Sequence, residues 1–268
     1  MALPPPSEHS TAVVTGASSG IGAEIARLLA DKGYGVTLVA RRGDRLTELA
    51  KEIESTRHVP AHVIACDLSD AGARERLVGD MAERGRTVSI LVNNAGFGSA
   101  GPFQDLDLDG ELRMVRTNVE AVVHLCGEYV PRMVEQGEGA VLNVASTAAF
   151  QPLARQSTYS ASKAFVLAFT EALSSDLKGT GVTATALCPG PVKTEFTDQH
   201  EGFDAAASTP DFVWMSAEDC ARTAVKGLER GKRVVVPGVG NRVGALAGQH
   251  APRSVLLAAA RRFYPLGR

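Results

Sequence analysis

The chain has 268 residues, enough for one large α/β domain or two small ones. Charged residues make up 22% and the formal net charge is −2, which argues against a disordered chain and against a general nucleic-acid binder. The four cysteines (Cys66, Cys126, Cys188 and Cys220) form no C-x-x-C pair and lie near no histidine at metal-ligand spacing, so we predict free thiols and no metal site.

No apolar run is long enough to span a membrane, and residues 1–10 lack the apolar core of a signal peptide. We therefore expect a cytoplasmic protein whose Pro-rich residues 1–10 form a flexible arm. Basic residues are concentrated at the other end. From Arg222 to Arg268 there are ten Lys/Arg and one acid, Glu229, giving +9 and leaving −11 for the residues before them.

The first predicted unit is a strand, a Gly-rich turn, a helix and a second strand. Apolar residues 11–15 lead into Gly16-Ala-Ser-Ser-Gly-Ile-Gly22, a helical pattern covers 23–32, and 34–40 is again apolar. This order is typical of a mononucleotide-binding βαβ unit, in which the turn approaches a pyrophosphate at a helix N-terminus. Glycines also serve ordinary tight turns.

Arg41 and Arg42 follow the second predicted strand, where NAD-binding folds usually place an acid that holds the ribose hydroxyls. Guanidinium groups attract a 2′-phosphate, so we predict NADP(H) as the cofactor. The alternative is that both arginines are simply solvated. Asp44 is predicted to cap the helix that follows.

Two further predicted strands end in polar or small residues. Residues 59–65 precede Asp67 and Leu68, and residues 88–92 precede Asn93-Asn-Ala-Gly96. Asp67 is expected either to bond an adenine amino group or to cap the helix beginning near Asp70. Asn94, Ala95 and Gly96 suit a cofactor crevice, although a plain turn is also compatible.

Asn118 lies within a long helical pattern, residues 109–136, that we expect to contain a break. Asparagine is unfavourable inside a helix, so its side chain should bond a backbone group or a water chain. Residues 139–145 form the next predicted strand, with Ser146 at its carboxyl end.

Tyr159 and Lys163 are four residues apart in a helical pattern, so both side chains can point at one small volume. A free tyrosine has a pKa near ~10, and lowering it by ~3 units takes about 4 kcal/mol, which a nearby lysine cation is expected to supply. A tyrosine tuned in this way exchanges protons with a carbonyl or an alcohol. Alone, the same spacing also fits a surface helix.

Predicted strands at residues 181–187 and 234–236 complete an alternation of strands and helices. We therefore predict one Rossmann-type, doubly wound parallel sheet of about seven strands over residues 11–237.

These motifs closely resemble the short-chain dehydrogenase/reductase family, in order and in spacing. The resemblance covers about residues 11–194 and rests on Thr15-Gly-Ala-Ser-Ser-Gly-Ile-Gly22, Asn93-Asn-Ala-Gly96, Asn118, Ser146, Tyr159-x-x-x-Lys163, Pro189-Gly190 and Thr194.

The resemblance implies a role for each matching residue. Tyr159 would be the general acid or base, Lys163 would lower its pKa and hold the nicotinamide ribose, Ser146 would bind the substrate oxygen, and Asn118 would anchor a relay water. Asn93 would brace the fourth strand, Pro189 and Thr194 would flank the nicotinamide, and Ser18, Arg41 and Arg42 would meet the 2′-phosphate. The full cofactor-binding set is predicted to be Gly16, Ser18, Ser19, Gly20, Ile21, Gly22, Arg41, Arg42, Asp67, Leu68, Asn94, Ala95, Gly96, Tyr159, Lys163, Pro189, Gly190, Val192 and Thr194.

Residues 195–217 lose helical and strand periodicity and carry large apolar side chains, which are Phe196, Phe203, Phe212, Val213, Trp214 and Met215. We predict a lid over the site and a hydrophobic, acyl-chain or steroid-like substrate; the alternative is that these side chains only pack the lid onto the core. A weaker likeness to ketoacyl and steroid-type reductases lies in residues 234–237 and in Asn241-Arg242.

Residues 238–268 form a basic extension in which residues 254–264 can form a short amphipathic helix. We expect this helix to pack on protein rather than on an anionic membrane surface. By resemblance, a homodimer or homotetramer is expected. A broad small-carbonyl reductase and a non-catalytic NADP(H)-binding sensor or scaffold are the alternative functions, and the set of Ser146, Tyr159 and Lys163 favours an enzyme.

Overall fold

The computed structural model describes residues 3–195, 214–254 and 256. Short runs rich in Val, Ile and Ala become strands that are buried on both faces, as expected when helices cover both sides of a parallel sheet. The strands are β1 (Ser10–Thr15), β2 (Val36–Ala40), β3 (Ala61–Ala65), β4 (Thr87–Asn93), β5 (Gly139–Val144), β6 (Val182–Leu187), β7 (Val192–Lys193), β8 (Met215–Ser216) and β9 (Val234–Val235).

The helices pack on the sheet through apolar residues at helical spacing. They are α1 (Gly20–Ala30), α2 (Gly43–Arg57), α3 (Ala71–Glu83), α4 (Leu108–Val115), α5 (Ala121–Gln136), α6 (Ser157–Asp176), α7 (Ala217–Glu229) and α8 (Val239–His250). One core cluster joins a face of the sheet to α1, α2 and α7, and a second joins the other face to α3, α5 and α6.

Seven parallel strands form the main sheet in the order β3-β2-β1-β4-β5-β6-β9. This confirms the predicted doubly wound sheet. The strand order reverses between β1 and β4, and ligands bind at such a reversal, outside the carboxyl ends of the strands. A small parallel ladder between β7 and β8 pairs Val192 with Met215 and was not predicted.

The break expected in the long fourth helix is a π-helical turn at Arg116–Glu120, which separates α4 from α5 and contains Asn118. The prediction that Asp44 caps α2 is wrong, because the helix begins one residue earlier, at Gly43, and Asp44 lies in its first turn. Asp70, rather than Asp67, caps α3 by accepting a hydrogen bond from the Ala73 amide.

The segments on both sides of the predicted domain, residues 1–10 and residues 238 onward, make contacts with it where they are described. Ser10 is already the first residue of β1, and the backbone carbonyl of Pro4 accepts a 2.7 Å hydrogen bond from the Tyr34 hydroxyl. Residues 3–10 therefore lie against the domain. Helix α8, at the start of the basic extension, also packs on the domain, since a Cβ on Gly190 would lie only 2.3 Å from the Asn241 Oδ1 atom.

Most of the predicted amphipathic helix at residues 254–264 falls outside the described residues, as do residues 196–213 of the predicted lid. No helix within the described part of the chain combines the length and apolar character needed to cross a membrane.

Candidate active site

The carboxyl ends of the strands open into one cleft of about 730 Å³, a volume typical of small-molecule sites. Almost every residue predicted from the sequence lines it: Gly16, Ser18, Ser19, Gly20, Ile21, Arg41, Arg42, Asp67, Leu68, Asn94, Ala95, Gly96, Ser146, Tyr159, Lys163, Pro189, Gly190, Val192 and Thr194. The two exceptions, Gly22 and Asn118, are buried directly behind the lining.

The glycine turn between β1 and α1 permits a close backbone approach. Gly16 has φ +65°, a conformation that disfavours side chains. A Cβ on Gly22 would lie 2.4 Å from both the Gly16 carbonyl oxygen and the Asn94 Nδ2 atom. The turn is therefore shaped to bring amides and a helix N-terminus to a phosphate, as a dinucleotide requires.

Thr15 connects this turn to the next strand and was missed as a site residue. Its hydroxyl accepts hydrogen bonds from the amides of Asn94 at 2.9 Å and Ala95 at 3.0 Å. The Asn94 side chain in turn donates to the Thr15 carbonyl at 2.9 Å. A threonine at a strand end resembles ordinary β sequence, and its proximity to Asn94 depends on the pairing of β1 with β4.

Positive charge is concentrated at one end of the cleft, beside Asp67. Arg42 donates to the hydroxyls of Ser18 at 2.9 Å and Ser19 at 2.7 Å, and to the carboxylate of Glu195 at 2.7 Å. Arg41 is exposed, lines the cleft and attracts the Asp67 carboxylate. We call this region the adenosine end. Of the two predicted arginines, Arg42 is the one that Ser18 and Ser19 hold in place.

Ser146 and Tyr159 lie at the opposite end of the cleft, which we call the catalytic end because predicted catalytic residues line it, and they share a hydrogen bond. Ser146 begins the 3-10 turn at Thr147–Phe150, where its hydroxyl accepts a 3.1 Å bond from the Ala148 amide. Burial raises the pKa of the Tyr159 phenol, and the bond with Ser146 opposes this rise. In this structure the phenol therefore holds its proton at neutral pH.

Lys163 is 4% exposed and donates to the Val144 carbonyl at 2.9 Å. Burial lowers the pKa of its ammonium from 10.5 to about 8. Its Nζ atom is 5.9 Å from the centre of the Tyr159 ring. The ammonium is thus held by the backbone of β5 beside the tyrosine, and the expectation that Lys163 lowers the pKa of Tyr159 stays a prediction.

Asn118 fulfils the expectation that its side chain bonds the backbone. It accepts from the Phe97 amide at 3.2 Å and donates to the Phe97 carbonyl at 2.9 Å. It also donates to the Ser162 hydroxyl at 3.0 Å, a contact that the sequence did not reveal. A Cβ on Gly96 would lie 2.9 Å from the Asn118 Oδ1 atom and 3.2 Å from Lys163 Nζ, so glycine allows these groups to converge.

The remaining described lining at the catalytic end is partly apolar and includes Phe97, Leu153 and Trp214. Phe196, Phe203, Phe212 and Val213, also predicted to face substrate, lie outside the described residues. No group of three or more possible metal ligands occurs in residues 3–195 or 214–254.

Comparisons with known proteins agree with this site. Residues 10–203 match the family model for short chain dehydrogenases. The chain is 41% identical over 214 residues to sulfoacetaldehyde reductase 2 of Chromohalobacter salexigens, covering 78% of this chain and 84% of that protein.

Two solved structures are also similar. One is a short-chain dehydrogenase from Sphingobium yanoikuyae in complex with NADPH, with a TM-score of 0.80 at 31% identity over 93% of this chain and 95% of that one. The other is a 7β-hydroxysteroid dehydrogenase, with a TM-score of 0.85 at 26% identity over 97% and 99% of the two chains. The chain therefore belongs to the short-chain dehydrogenase family of oxidoreductases, as its motifs predicted.

Proposed function

We propose that this protein uses NADP(H) to interconvert a ketone and a secondary alcohol, with a hydrophobic substrate. The observation that carries the proposal is one cleft with Ser146, Tyr159 and Lys163 at one end and two arginines at the other. The NADPH present in the Sphingobium structure supports the choice of cofactor. So does the close-packed turn at Gly22, which fits a pyrophosphate.

When bound, NADPH supplies a hydride to the carbonyl carbon. The protein's own groups manage the proton and the substrate oxygen. Ser146 and Tyr159, already joined by a hydrogen bond, together bind that oxygen, and the phenol of Tyr159 donates its proton to it. In the reverse reaction, oxidation of the alcohol, the same Tyr159 oxygen takes the proton back.

The distribution of charge supports a neutral, hydrophobic substrate. Besides Lys163, the cations that line the described cleft are Arg41, Arg42 and Arg113. Arg41 and Arg113 attract Asp67, and Arg42 is bonded to Ser18. Each of these three arginines therefore already interacts with a neighbouring group. Among the described residues that line the cleft, no further cation besides Lys163 is left to hold a sulfonate such as that of sulfoacetaldehyde.

The proposal is tested by following NADPH oxidation with a panel of ketones. We expect bulky lipophilic ketones to be reduced with higher kcat/KM than acetone-sized ketones, and sulfoacetaldehyde to be the poorest substrate. Equal kcat/KM for small and bulky ketones would favour the broad small-carbonyl reductase. Preferential use of sulfoacetaldehyde would contradict the hydrophobic assignment and imply a cation outside the described residues.

A further inference from the structure

Glu195 links the side chains of Arg42 and Arg45. One carboxylate oxygen accepts from Arg42 at 2.7 Å, and the other accepts from Arg45. Arg42 is 153 residues away in the sequence, so the contact is created by the fold. None of the sequence motifs includes Glu195 or Arg45.

The position of Glu195 is fixed by its neighbour, Thr194. A Cβ on Gly20, the first residue of α1, would lie only 3.0 Å from the Thr194 methyl group, so this segment crosses directly over the glycine turn. Glu195 itself lines the cleft. Its carboxylate thus lies at the adenosine end, beside the hydroxyls of Ser18 and Ser19 that Arg42 also bonds.

A carboxylate and a phosphate accept hydrogen bonds from guanidinium groups in the same way. An incoming 2′-phosphate, which carries a charge of about −1.5 to −2, would therefore meet an anion already bonded to Arg42. The Glu195 carboxylate is ionised, and competes with the phosphate for Arg42, throughout the neutral pH range. Hydrogen bonds from Arg45 and then Arg42 lower its pKa to about 2. NAD(H) lacks the 2′-phosphate and leaves the ion pair undisturbed.

We infer that Glu195 competes with the 2′-phosphate of NADP(H) for Arg42 and so limits the preference of this enzyme for NADP(H) over NAD(H). The inference rests on the proposed function, since it assumes that NADP(H) occupies this cleft. It identifies a specificity-determining residue that acts against the preferred cofactor. The bound 2′-phosphate displaces the Glu195 carboxylate from Arg42, and the apparent affinity for NADPH is reduced by the free energy of that displacement.

The test is the Glu195→Gln variant, which keeps the shape of the side chain and removes its charge. Dissociation constants for NADPH and NADH are measured by isothermal titration for the wild type and the variant. We expect the Kd for NADPH to fall about threefold to fivefold, as for a partly exposed ion pair, and the Kd for NADH to change by less than about twofold. The gain for NADPH should shrink at high salt.

Glu48→Gln is the matched control, because Glu48 is an exposed acid that also acts on Arg45. It should leave both constants unchanged. Weaker NADPH binding by Glu195→Gln, an equal change for both cofactors, or an equal gain in Glu48→Gln would overturn the inference. Failure of the wild-type protein to bind NADPH would instead remove the proposed function itself.

Discussion

The two ends of the cleft hold their polar groups in different ways. At the catalytic end, Asn118 and Lys163 are 1% and 4% exposed and bond backbone atoms of Phe97 and Val144. At the adenosine end, the side chains of Arg42 and Glu195 are 38% and 42% exposed and bond each other, and Arg42 also bonds the hydroxyls of Ser18 and Ser19.

This difference in burial leads us to expect that one end of the cleft carries out the reaction and the other selects the cofactor. Buried groups interact in a medium of low dielectric constant and are fixed by the fold, so their loss should have large effects that salt does not screen. Exposed charges contribute less free energy to stability and binding, and salt screens them. The catalytic end should therefore determine turnover, and the adenosine end should adjust which dinucleotide binds.

The largest effect is expected from Tyr159→Phe. It removes the proton donor and keeps the ring, so kcat for ketone reduction should fall about 1,000-fold while the Kd for NADPH stays within about twofold. Stopped assays of NADPH oxidation and quenching of Trp214, the single tryptophan, measure these two quantities. Turnover equal to that of the wild type would exclude proton transfer by this residue and favour a sensor or scaffold.

Lys163→Met should lower kcat about 100-fold, because it removes the cation that lies beside the Tyr159 phenol, and it should also stabilise the cofactor-free protein. The pKa of the lysine is lowered from 10.5 to about 8, which corresponds to a cost of up to about 3 kcal/mol for burying the charge at pH 7. Below pH 8 the charge is present and its burial opposes folding. As pH rises from 8 to 10.5, the folded protein releases the proton first, so the wild type gains stability.

Thermal melts at pH 7 and pH 9.5 test whether the wild type gains stability as the pH rises. The Tm of Lys163→Met should exceed that of the wild type at pH 7, and the gap should narrow at pH 9.5. Lys178→Met, a change at an exposed lysine, should show no such pH dependence. A variant that is less stable by a constant amount at both pH values would mean that the hydrogen bond to Val144 outweighs the cost of burial.

At the adenosine end, Arg42→Ala should raise the Kd for NADPH about tenfold, as expected for the loss of a charge-assisted hydrogen bond, and leave that for NADH nearly unchanged. The ratio of the NADPH Kd of the variant to that of the wild type should fall as salt is added. Arg41→Ala is the companion variant, and it should also weaken NADPH more than NADH. Equal losses for both cofactors in both variants would place the 2′-phosphate elsewhere.

The two ends also differ in how far the sequence could predict them. Gly16, Ser146, Tyr159 and Lys163 stand at strand ends or at helical spacing, so local pattern was enough to bring them to one edge of the sheet. Local pattern did not predict that Lys163 donates to the Val144 carbonyl, because that contact depends on how α6 packs against β5. It also missed Glu195, whose partners are 150 and 153 residues away.

Among the changes at the catalytic end, the smallest effect on kcat is expected from Ser162. Its hydroxyl accepts from the Asn118 amide at 3.0 Å and donates to the Tyr159 carbonyl at 2.7 Å, so it connects the π-helical turn to the catalytic helix. Ser162 is thus a positioning residue that acts through Asn118. Ser162→Ala should lower kcat about threefold to tenfold, the cost of one buried hydrogen bond, and leave the KM for NADPH unchanged.

Ser160→Ala is the matched control for Ser162→Ala, since Ser160 is buried on the same helix and its hydroxyl bonds backbone atoms rather than Asn118: it donates to the Ser157 carbonyl at 3.3 Å and accepts from the Leu153 amide at 3.5 Å. It should retain the kcat of the wild type, and Ser162→Thr, which keeps the hydroxyl, should recover most of the loss. If Ser160→Ala lowers kcat equally, the effect belongs to general packing of α6. A change confined to the KM for NADPH would show that the buried contact between Ser162 and Asn118 serves cofactor binding. That result would contradict the assignment of turnover to the catalytic end and cofactor binding to the adenosine end.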